Sequence, residues 1–201
     1  MSERTSAPLR IMIADDEAVI RMGLKVMAQS LGYRVVATAS DGADALETAL
    51  RVRPDLLLLD IKMPEMDGLA VAEHLAAKAP LPIVMLTAFS QKALVERAVN
   101  ASVMGYLVKP VKEETLGPTI ELALNRFEVA RAVAAQATSL KEQLETRAQV
   151  DAAKSLLMDH GLSENEAYHR LQAAARKRRV SLRQIAERVI AARGWIDPED
   201  F

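Results

Sequence analysis

Five short apolar runs recur along the first half of the chain, and segments with helical spacing separate them. The runs are residues 9–14, 33–39, 56–59, 83–86 and 104–108. Continuous apolar runs of this length are typical of parallel strands that are buried on both faces. Because strand and helix alternate with short connections, the pattern predicts an α/β fold with a doubly wound, five-stranded parallel sheet and right-handed crossovers.

The segments between these runs have the spacing and the punctuation of helices. The predicted helices are residues 18–31, 43–52, 68–78 and 91–100. In the first of them, apolar residues recur at helical spacing, namely Val19, Met22, Val26 and Met27. Gly32 follows the first helix, as a C-cap glycine would. Ser40 or Asp41 is placed to cap the N-terminus of the second helix, and Ser90 is placed to cap that of the fourth.

A long segment that contains no glycine or proline follows the last strand. In residues 120–150, apolar positions recur every three or four residues, at Leu124, Phe127, Ala130, Ala134, Ala137, Leu140, Leu144 and Ala148. We predict one long helix that extends the last helix of the first domain after a brief interruption at Gly117-Pro118. The alanine-rich seam slips by a residue near Leu140. It fits either a dimeric coiled coil or a long monomeric helix folded back on its neighbours.

The last part of the chain, from residue 150 onwards, is predicted to form three short helices. The first covers residues 151–160 and ends at Gly161. Ser163 and Glu166 form a capping box for the second helix, which has an apolar face and then ends in a basic run. Ser181 caps the third, which ends at Gly194. The apolar face of the second helix consists of Tyr168, Leu171 and Ala175.

Composition excludes several classes of site. The chain has 201 residues, of which half are apolar and 26% charged, and its net charge is −1. That charge predicts no bulk attraction to nucleic acid or membranes, although a local basic patch is compatible with it. The absence of cysteine excludes disulfides, thiol nucleophiles and thiolate metal sites. The three histidines have no ligand spacing, which argues against zinc.

Two further absences bear on where the protein works. Residues 1–8 are small and polar and lack the apolar core of a signal peptide. No run approaches the roughly 18 apolar residues that a membrane span needs. The expectation is therefore a cytoplasmic protein that has no membrane partner.

Polar side chains follow four of the five predicted strands. They are Asp15-Asp16, Asp60, Thr87 and Lys109. In open α/β sheets the ligand crevice lies at the carboxyl ends of the strands, so we expect these groups to meet. Three clustered carboxylates make an oxygen-rich site that suits Mg²⁺. An ammonium and a hydroxyl are suited to hold the oxygens of a phosphoryl group carried by Asp60.

This order of residues over roughly residues 8–120 resembles the receiver domain of two-component response regulators, which has a flavodoxin-like fold. The resemblance implies that Asp60 is the phosphoacceptor, that a sensor histidine kinase is the partner, and that Mg²⁺ is the cofactor. It further implies that the Lys109-Pro110 peptide bond is cis. Whether the Glu17 side chain helps to bind the metal is open. The resemblance also implies that Asp60, Asp16 and the Lys62 carbonyl bind the metal directly and that Asp15 binds it through water. It implies Thr87 and Lys109 as phosphoryl contacts and Tyr106 as the switch aromatic.

The C-terminal segment resembles a second family, the ANTAR domain of antitermination regulators. The motifs are AKSLLM at 153–158, GLSENEAY at 161–168 and LRQIA at 182–186. Ser155 departs from the glycine that the family often has there. The resemblance implies that this three-helix all-α domain binds structured, loop-containing RNA.

Local charge supports that implication. Nine basic and five acidic residues lie between residues 150 and 194, which gives this segment a charge of +4. Phosphate contact needs such an excess. Tyr168 is a candidate for either core packing or RNA, and the basic run is compatible with an ordinary solvated face. The candidate RNA-binding residues are Lys154, Tyr168, Arg176, Lys177, Arg178, Arg179 and Arg183.

Together the two resemblances imply a phosphorylation-dependent, RNA-binding transcription antiterminator that is not an enzyme beyond assisting its own phosphorylation and dephosphorylation. Phosphorylation is expected to drive a homodimer through the long helix. The alternatives are a DNA-binding response regulator and a protein-binding signalling adaptor. The expected domains are a receiver at 8–120, a linker helix at 121–148, an ANTAR domain at 149–195 and an acidic tail at 196–201.

Overall fold

A five-stranded parallel sheet forms the N-terminal part of the protein, whose computed structural model describes residues 7–88 and 103–192. The strands are β1 (Arg10–Ala14), β2 (Arg34–Ala39), β3 (Leu56–Asp60), β4 (Ile83–Thr87) and β5 (Val103–Val108). Their order is β2-β1-β3-β4-β5, and all neighbours are parallel. The predicted flavodoxin-like, doubly wound sheet is confirmed.

The central strand β3 explains why its sequence is a continuous apolar run. Successive side chains of a strand point to opposite faces, and this sheet is covered on both. Leu57 and Leu59 lie in one buried cluster with Val71 of the helix that follows β3. Leu56 and Leu58 lie in a second cluster on the other face. Every residue of the run is therefore in a core, and the strand ends where Asp60 begins the site.

Four helices of the described part flank the sheet: the start of the long helix described below, and three whose bounds follow the predicted ones closely. These three are α1 (Ala18–Ser30), α2 (Gly42–Val52) and α3 (Gly68–Lys78). Asp41 is the N-cap of α2, where its side chain accepts a hydrogen bond from the Asp44 N–H at 2.8 Å. The predicted helix 91–100 and its cap Ser90 lie outside the described residues.

The buried face of α1 differs from the one that carries the apolar spacing in the sequence. Leu24 and Ala28 are its buried residues. Val19, Met22 and Val26 are 82%, 70% and 65% exposed. The helix is confirmed, but three of the four residues that indicated it form an exposed apolar stripe.

The long helix α4 runs without a break from Glu113 to Asp159. Two expectations are therefore wrong: Gly117-Pro118 does not interrupt the helix, and no separate helix begins at Asp151. The physical reason for the second is that residues 120–160 contain no glycine or proline, so nothing stops the helix before Gly161, which has φ +93°.

Contacts divide the chain into two compact units, Met1–Arg131 and Ala132–Phe201.

The second unit has a small core of its own. Its helices besides the end of α4 are α5 (Glu164–Arg178) and α6 (Leu182–Ala191). Ser163 and Ser181 open them with complete capping boxes, each satisfying otherwise free N–H groups. The core includes Leu157, Leu171 and Ile185. The third helix ends at Ala191, with Ala192 as its C-cap, and so stops short of the predicted end at Gly194. The acidic tail 196–201 lies outside the described residues.

Within the described ranges, no helix combines the length and the apolar character that crossing a membrane requires.

Candidate functional site

The carboxyl ends of four strands bring the polar residues of the first unit together. In the register of the sheet, Ala14 lies opposite Leu59, and Asp60 lies opposite Leu86. The backbone N–H of Lys109 donates to the Thr87 carbonyl at 2.8 Å, which ties the end of β5 to the end of β4. Since all strands point the same way, the groups that follow them meet at one edge of the sheet, as predicted.

Lys109 is the centre of the charge network at this edge. Its Nζ lies 2.8 Å from Asp15 Oδ2, 3.0 Å from Asp60 Oδ2 and 3.6 Å from Glu17 Oε1. Burial lowers the pKa of Lys109, but the contacts with Asp15 and Asp60 outweigh this and raise the pKa above its ordinary value. Lys109 is therefore a permanent cation, and Glu17, whose side chain is 63% exposed, is one of its partners.

Asp60 is a buried carboxylate whose ionised form is penalised. It is 6% exposed, and its Oδ1 accepts a hydrogen bond from the Ile61 N–H at 2.9 Å. Desolvation raises the pKa of Asp60, and the neighbouring charge of Lys109 opposes that rise. A second cation at this point would relieve the same penalty.

Three carboxylates form a cluster suited to a metal ion. Asp15, Asp16 and Asp60 each offer an oxygen, and these oxygens all lie within 4.8 Å of one another. Asp15 is fully buried, and its Oδ2 is paired with Lys109 Nζ at 2.8 Å. Carboxylate oxygens gathered this closely are hard ligands, so the donor set fits a hard divalent cation.

Of the remaining predicted residues, Thr87 ends β4 at this edge, whereas Tyr106 lies within β5, opposite Met85. Thr87 is 2% exposed and its hydroxyl donates to the Ala88 carbonyl at 3.0 Å. Tyr106 is 45% exposed, so it is not packed in the core. The Lys109-Pro110 peptide is cis, as expected. Lys62 follows Asp60 by two residues, and its carbonyl stays a predicted ligand.

Two residues at this edge were missed by the sequence analysis. Arg21 donates from Nη1 to the carbonyls of Asp15 and Asp16 at 2.6 and 3.0 Å, which fixes the backbone that carries the acidic pair. Gly68 donates its N–H to Ile61 at 2.8 Å, and a Cβ there would lie 2.0 Å from the Asp60 carbonyl oxygen. Only a residue without a side chain allows α3 to approach the phosphoacceptor strand this closely.

The Gly68→Ala variant is expected to lose about 1–3 kcal/mol of stability, the usual cost of forcing an extra methyl group against a packed wall. The atoms that the methyl meets are backbone atoms of Asp60 and Ile61 and cannot swing aside. Gly23→Ala is the matched control, because nothing lies within 4 Å of that position in α1. It should stabilise by up to about 1 kcal/mol. Urea unfolding measures the free energy of unfolding of both variants. Equal changes in Gly68→Ala and Gly23→Ala would contradict the close approach of α3 to β3.

In the second unit the basic run lies at the C-terminal end of α5. Arg176, Lys177 and Arg178 occupy its last turn, where cations also suit the helix dipole. Arg179 follows as the left-handed C-cap with φ 53°. All four are exposed. The run therefore places four exposed cationic side chains at one end of a helix.

Two other candidate RNA contacts are engaged within the protein. Lys154 Nζ lies 2.7 Å from Glu164 and 3.3 Å from Asp151. The hydrogen bond with Glu164 is the main reason why the pKa of Lys154 is raised. Lys154 therefore also has a role within the protein, since its side chain joins the end of α4 to the start of α5. Arg183 pairs with Glu187 at 3.0 Å and Glu145 at 3.6 Å.

Tyr168 does not belong to the core that its spacing with Leu171 and Ala175 indicated. Leu171 and Ala175 are buried, whereas Tyr168 is 38% exposed. Its ring lies beside that of His169, with centroids 6.4 Å apart. Core packing is therefore excluded for Tyr168, and its contact with RNA stays a prediction.

Family models match both parts of the chain. Residues 11–121 match the response regulator receiver domain, and residues 138–190 match the ANTAR domain. The transcriptional regulatory protein PdtaR of Mycobacterium tuberculosis is 46% identical over 190 residues, which cover 94% of this chain and 93% of that protein. The chemotaxis protein CheY of Bacillus subtilis is 38% identical over 117 residues, which cover 58% of this chain and 98% of CheY.

Solved structures match the first unit. The receiver domain of a modulated diguanylate cyclase from Desulfovibrio desulfuricans G20 has a TM-score of 0.57 and 32% identity, over 61% of this chain and 98% of that one. The receiver domain of AraT from Geobacillus stearothermophilus has a TM-score of 0.55 and 33% identity, over the same shares. The sheet, the residues at its edge and these matches lead to one conclusion: the chain belongs to the response regulators that combine a receiver domain with an ANTAR domain.

Proposed function

We propose that the protein is a phosphorylation-dependent regulator that binds RNA and acts in transcription antitermination, with a partner histidine kinase as its phosphodonor. The observation that carries the proposal is the position of Asp60. Its carboxylate is held 3.0 Å from Lys109 at the edge where Thr87 and the acidic pair also lie. The same chain carries a match to the ANTAR domain at residues 138–190. Because one chain carries both a phosphoacceptor site and an RNA-binding domain, phosphorylation of the first is proposed to control RNA binding by the second.

The chemistry of the site follows from its charges. An oxygen of Asp60 attacks the phosphorus of the donor, so an O–P bond forms while the N–P bond to the kinase histidine breaks and the imidazole leaves. Lys109 is already in contact with Asp60 and is placed to neutralise a new phosphoryl oxygen. The Thr87 hydroxyl, now turned to the Ala88 carbonyl, is free to rotate towards another oxygen.

The acidic cluster supports Mg²⁺ as the cofactor. Asp15, Asp16, Asp60 and the Lys62 carbonyl would hold the ion, and the three carboxylates already offer oxygens within 4.8 Å of one another. When bound, the ion supplies positive charge that offsets the charge of the incoming phosphoryl group.

The Asp16→Asn variant is expected to bind Mg²⁺ at least about tenfold more weakly than wild type, since it loses a charged ligand of a site built from carboxylates. Asp16 is exposed, so the fold should not change. Asp44→Asn in α2 is a control that removes the same charge outside the cluster. Calorimetric titration measures the affinities, and equal Mg²⁺ binding by wild type and Asp16→Asn would argue against the site.

The exposed apolar stripe of α1 supports a protein phosphodonor. Val19, Met22 and Val26 lie on the helix that begins two residues after Asp16, so the stripe adjoins the mouth of the site. Contiguous apolar residues of this kind mark interaction surfaces. A kinase docked on the stripe would bring its phosphohistidine to Asp60.

The output is proposed to be a change of state in the long helix. A phosphoryl group adds charge that Lys109 and Thr87 contact, and Tyr106, now exposed, would turn inwards. Along α4 four apolar side chains are more than half exposed, namely Val129, Val133, Leu140 and Leu144. Their spacing of four, seven and four residues follows a heptad seam except for a slip of one residue between Leu140 and Leu144, and pairing two copies would bury them.

A direct test is a gel shift of the full chain with structured RNA and with duplex DNA, before and after treatment with a small phosphodonor and Mg²⁺. Binding to RNA that strengthens on phosphorylation supports the proposal. Preference for duplex DNA would instead favour a DNA-binding regulator, and no binding to either would favour a protein-binding adaptor.

A further inference from the structure

The loop that joins β3 to α3 has a defined shape that the proposed function needs but does not explain. It covers residues 61–67 and contains Lys62, whose backbone carbonyl is a proposed Mg²⁺ ligand. A ligand serves a metal well only where the surrounding structure holds it close to the productive geometry. The contacts that hold this loop are therefore part of the metal site.

One carbonyl in the middle of the loop is held from two sides. The Pro64 carbonyl accepts a hydrogen bond from the Met66 N–H at 2.7 Å and another from the Gly42 N–H, outside the loop, at 3.2 Å. Between Pro64 and Met66, Glu65 has a left-handed φ of 64°. That conformation is unfavourable for a residue with a side chain, so it persists only where the surroundings impose it.

The contact from outside the loop comes from the first turn of α2. Gly42 is the first residue of that helix, and the N–H groups of a first turn have no partner within their own helix. The Asp41 side chain satisfies the N–H of Asp44, and the Pro64 carbonyl satisfies that of Gly42. The loop thus completes the cap of α2, and α2 in turn holds the loop.

This contact requires a residue without a side chain at position 42. Gly42 is buried, and a Cβ there would lie 1.9 Å from the carbonyl oxygen of Met66. That oxygen is a backbone atom, so it cannot swing aside. The helix is anchored by Ala45 and Ala49, which are buried in the core of the first unit. A larger residue at position 42 must therefore push the loop away from α2 by an ångström or more.

We propose that Gly42 is a positioning residue for the metal site. By allowing α2 to contact the Pro64 and Met66 carbonyls, it holds the loop so that the Lys62 carbonyl meets the ion. The inference rests on the proposed Mg²⁺ site and extends it to a residue of another helix that has no side chain to offer as a ligand. Groups that orient metal ligands are needed nearly as much as the ligands, and their loss typically weakens metal binding by about 10- to 100-fold.

The phosphoacceptor is held independently of this contact. Asp60 is the last residue of β3 and lies opposite Leu86 of β4, and the Ile61 N–H donates to the Leu86 carbonyl at 3.3 Å. At the other end of the loop, the Gly68 N–H donates to the Ile61 carbonyl at 2.8 Å. Both ends are therefore tied to the sheet, and Gly42 acts on the middle of the loop. A change at position 42 should alter metal affinity and leave the nucleophile in place.

The test is Gly42→Ala in the full chain, with Mg²⁺ as the probe. Calorimetric titration should show Mg²⁺ binding about 10- to 100-fold weaker than in wild type. Labelling by a small phosphodonor should need correspondingly more Mg²⁺ to reach half its maximal rate, but the rate at saturating Mg²⁺ should match that of wild type. Ala49→Gly is the matched control, because it destabilises α2 at a buried position two turns further along and should leave Mg²⁺ affinity unchanged.

Pro64→Gly tests the same contact from the side of the loop and adds no atom that could clash. Pro64 is exposed, so the fold should be kept, but the loop loses the ring that fixes one of its dihedral angles. Its Mg²⁺ affinity should also fall, so this variant decides the question if Gly42→Ala does not fold.

The outcomes separate the inference from the proposal on which it rests. If Gly42→Ala folds, is less stable and keeps wild-type Mg²⁺ affinity, Gly42 has only a structural role and the inference is overturned. Wild-type affinity in Pro64→Gly has the same meaning where Gly42→Ala does not fold. If wild-type protein itself binds no Mg²⁺, the proposed cofactor is wrong, and the inference falls with it.

Discussion

The Asp60→Asn variant is expected to take up no phosphoryl group from a small phosphodonor and Mg²⁺, under conditions in which wild type is labelled. The substitution keeps the size of the side chain and its hydrogen bond with Ile61, but an amide oxygen is not a nucleophile comparable to a carboxylate. The variant should also fold. Desolvation raises the pKa of Asp60, so the folded state penalises its charge at neutral pH, and a neutral isostere removes that penalty. Its unfolding midpoint should equal or exceed that of wild type.

Asp67→Asn is the matched control for this loss of labelling. Asp67 lies at the end of the loop that follows Asp60 and caps α3, where its side chain accepts a hydrogen bond from the Ala70 N–H at 2.7 Å, a role that asparagine also fills. We expect Asp67→Asn to take up as much phosphoryl label as wild type does. Label that persists in Asp60→Asn, or that survives hydroxylamine treatment of the wild-type protein, would place the phosphoryl group on another residue.

The edge of the sheet could be predicted from sequence because two physical constraints coincide there. Strands buried on both faces must be apolar throughout, so the runs that contain Leu57 and Val84 are visible without any structure. Parallel strands then carry their last residues to one edge. Any polar group that follows a run, such as Asp60 or Thr87, is placed there by the topology alone.

The exposed face of α1 could not be predicted because the helix has apolar residues on more than one side. Val19, Met22 and Val26 have a spacing as regular as any core stripe, yet Leu24 and Ala28 are the residues that the sheet covers. Periodicity identifies a helix but not which of two apolar faces meets a partner. That choice depends on packing between elements far apart in sequence.

Contacts between residues on opposite sides of a turn could not be predicted from the sequence either. Asp151 lies three residues before Lys154 on the same helix, a pairing that helical spacing indicates. Glu164 lies ten residues later, beyond the turn at Gly161, and only the fold brings it to 2.7 Å. The need for glycine at position 68 is of the same kind, because it comes from the approach of α3 to β3.

The largest loss of RNA binding is expected from the double variant Arg176→Ala with Arg179→Ala. Both side chains are exposed at the end of α5. Removing one charge-assisted hydrogen bond to a phosphate costs about 1.5 kcal/mol or more, so the two substitutions should lower the affinity by about 100-fold. The slope of log affinity against log salt should flatten by about 0.7 for each phosphate of a single strand that the variant no longer neutralises.

The double variant Arg131→Ala with Lys141→Ala is the control, since it removes the same charge from an exposed stretch of α4 and should change RNA affinity little. Lys154→Met separates folding from binding. It keeps the alkyl chain but loses the pairs with Glu164 and Asp151, so the thermal midpoint should fall while affinity per folded molecule stays constant. Two results together would contradict this prediction: weaker RNA binding by Lys154→Met at an unchanged thermal midpoint, and wild-type RNA affinity of the Arg176 and Arg179 double variant. The RNA surface would then lie at the junction of α4 and α5 rather than at the basic run.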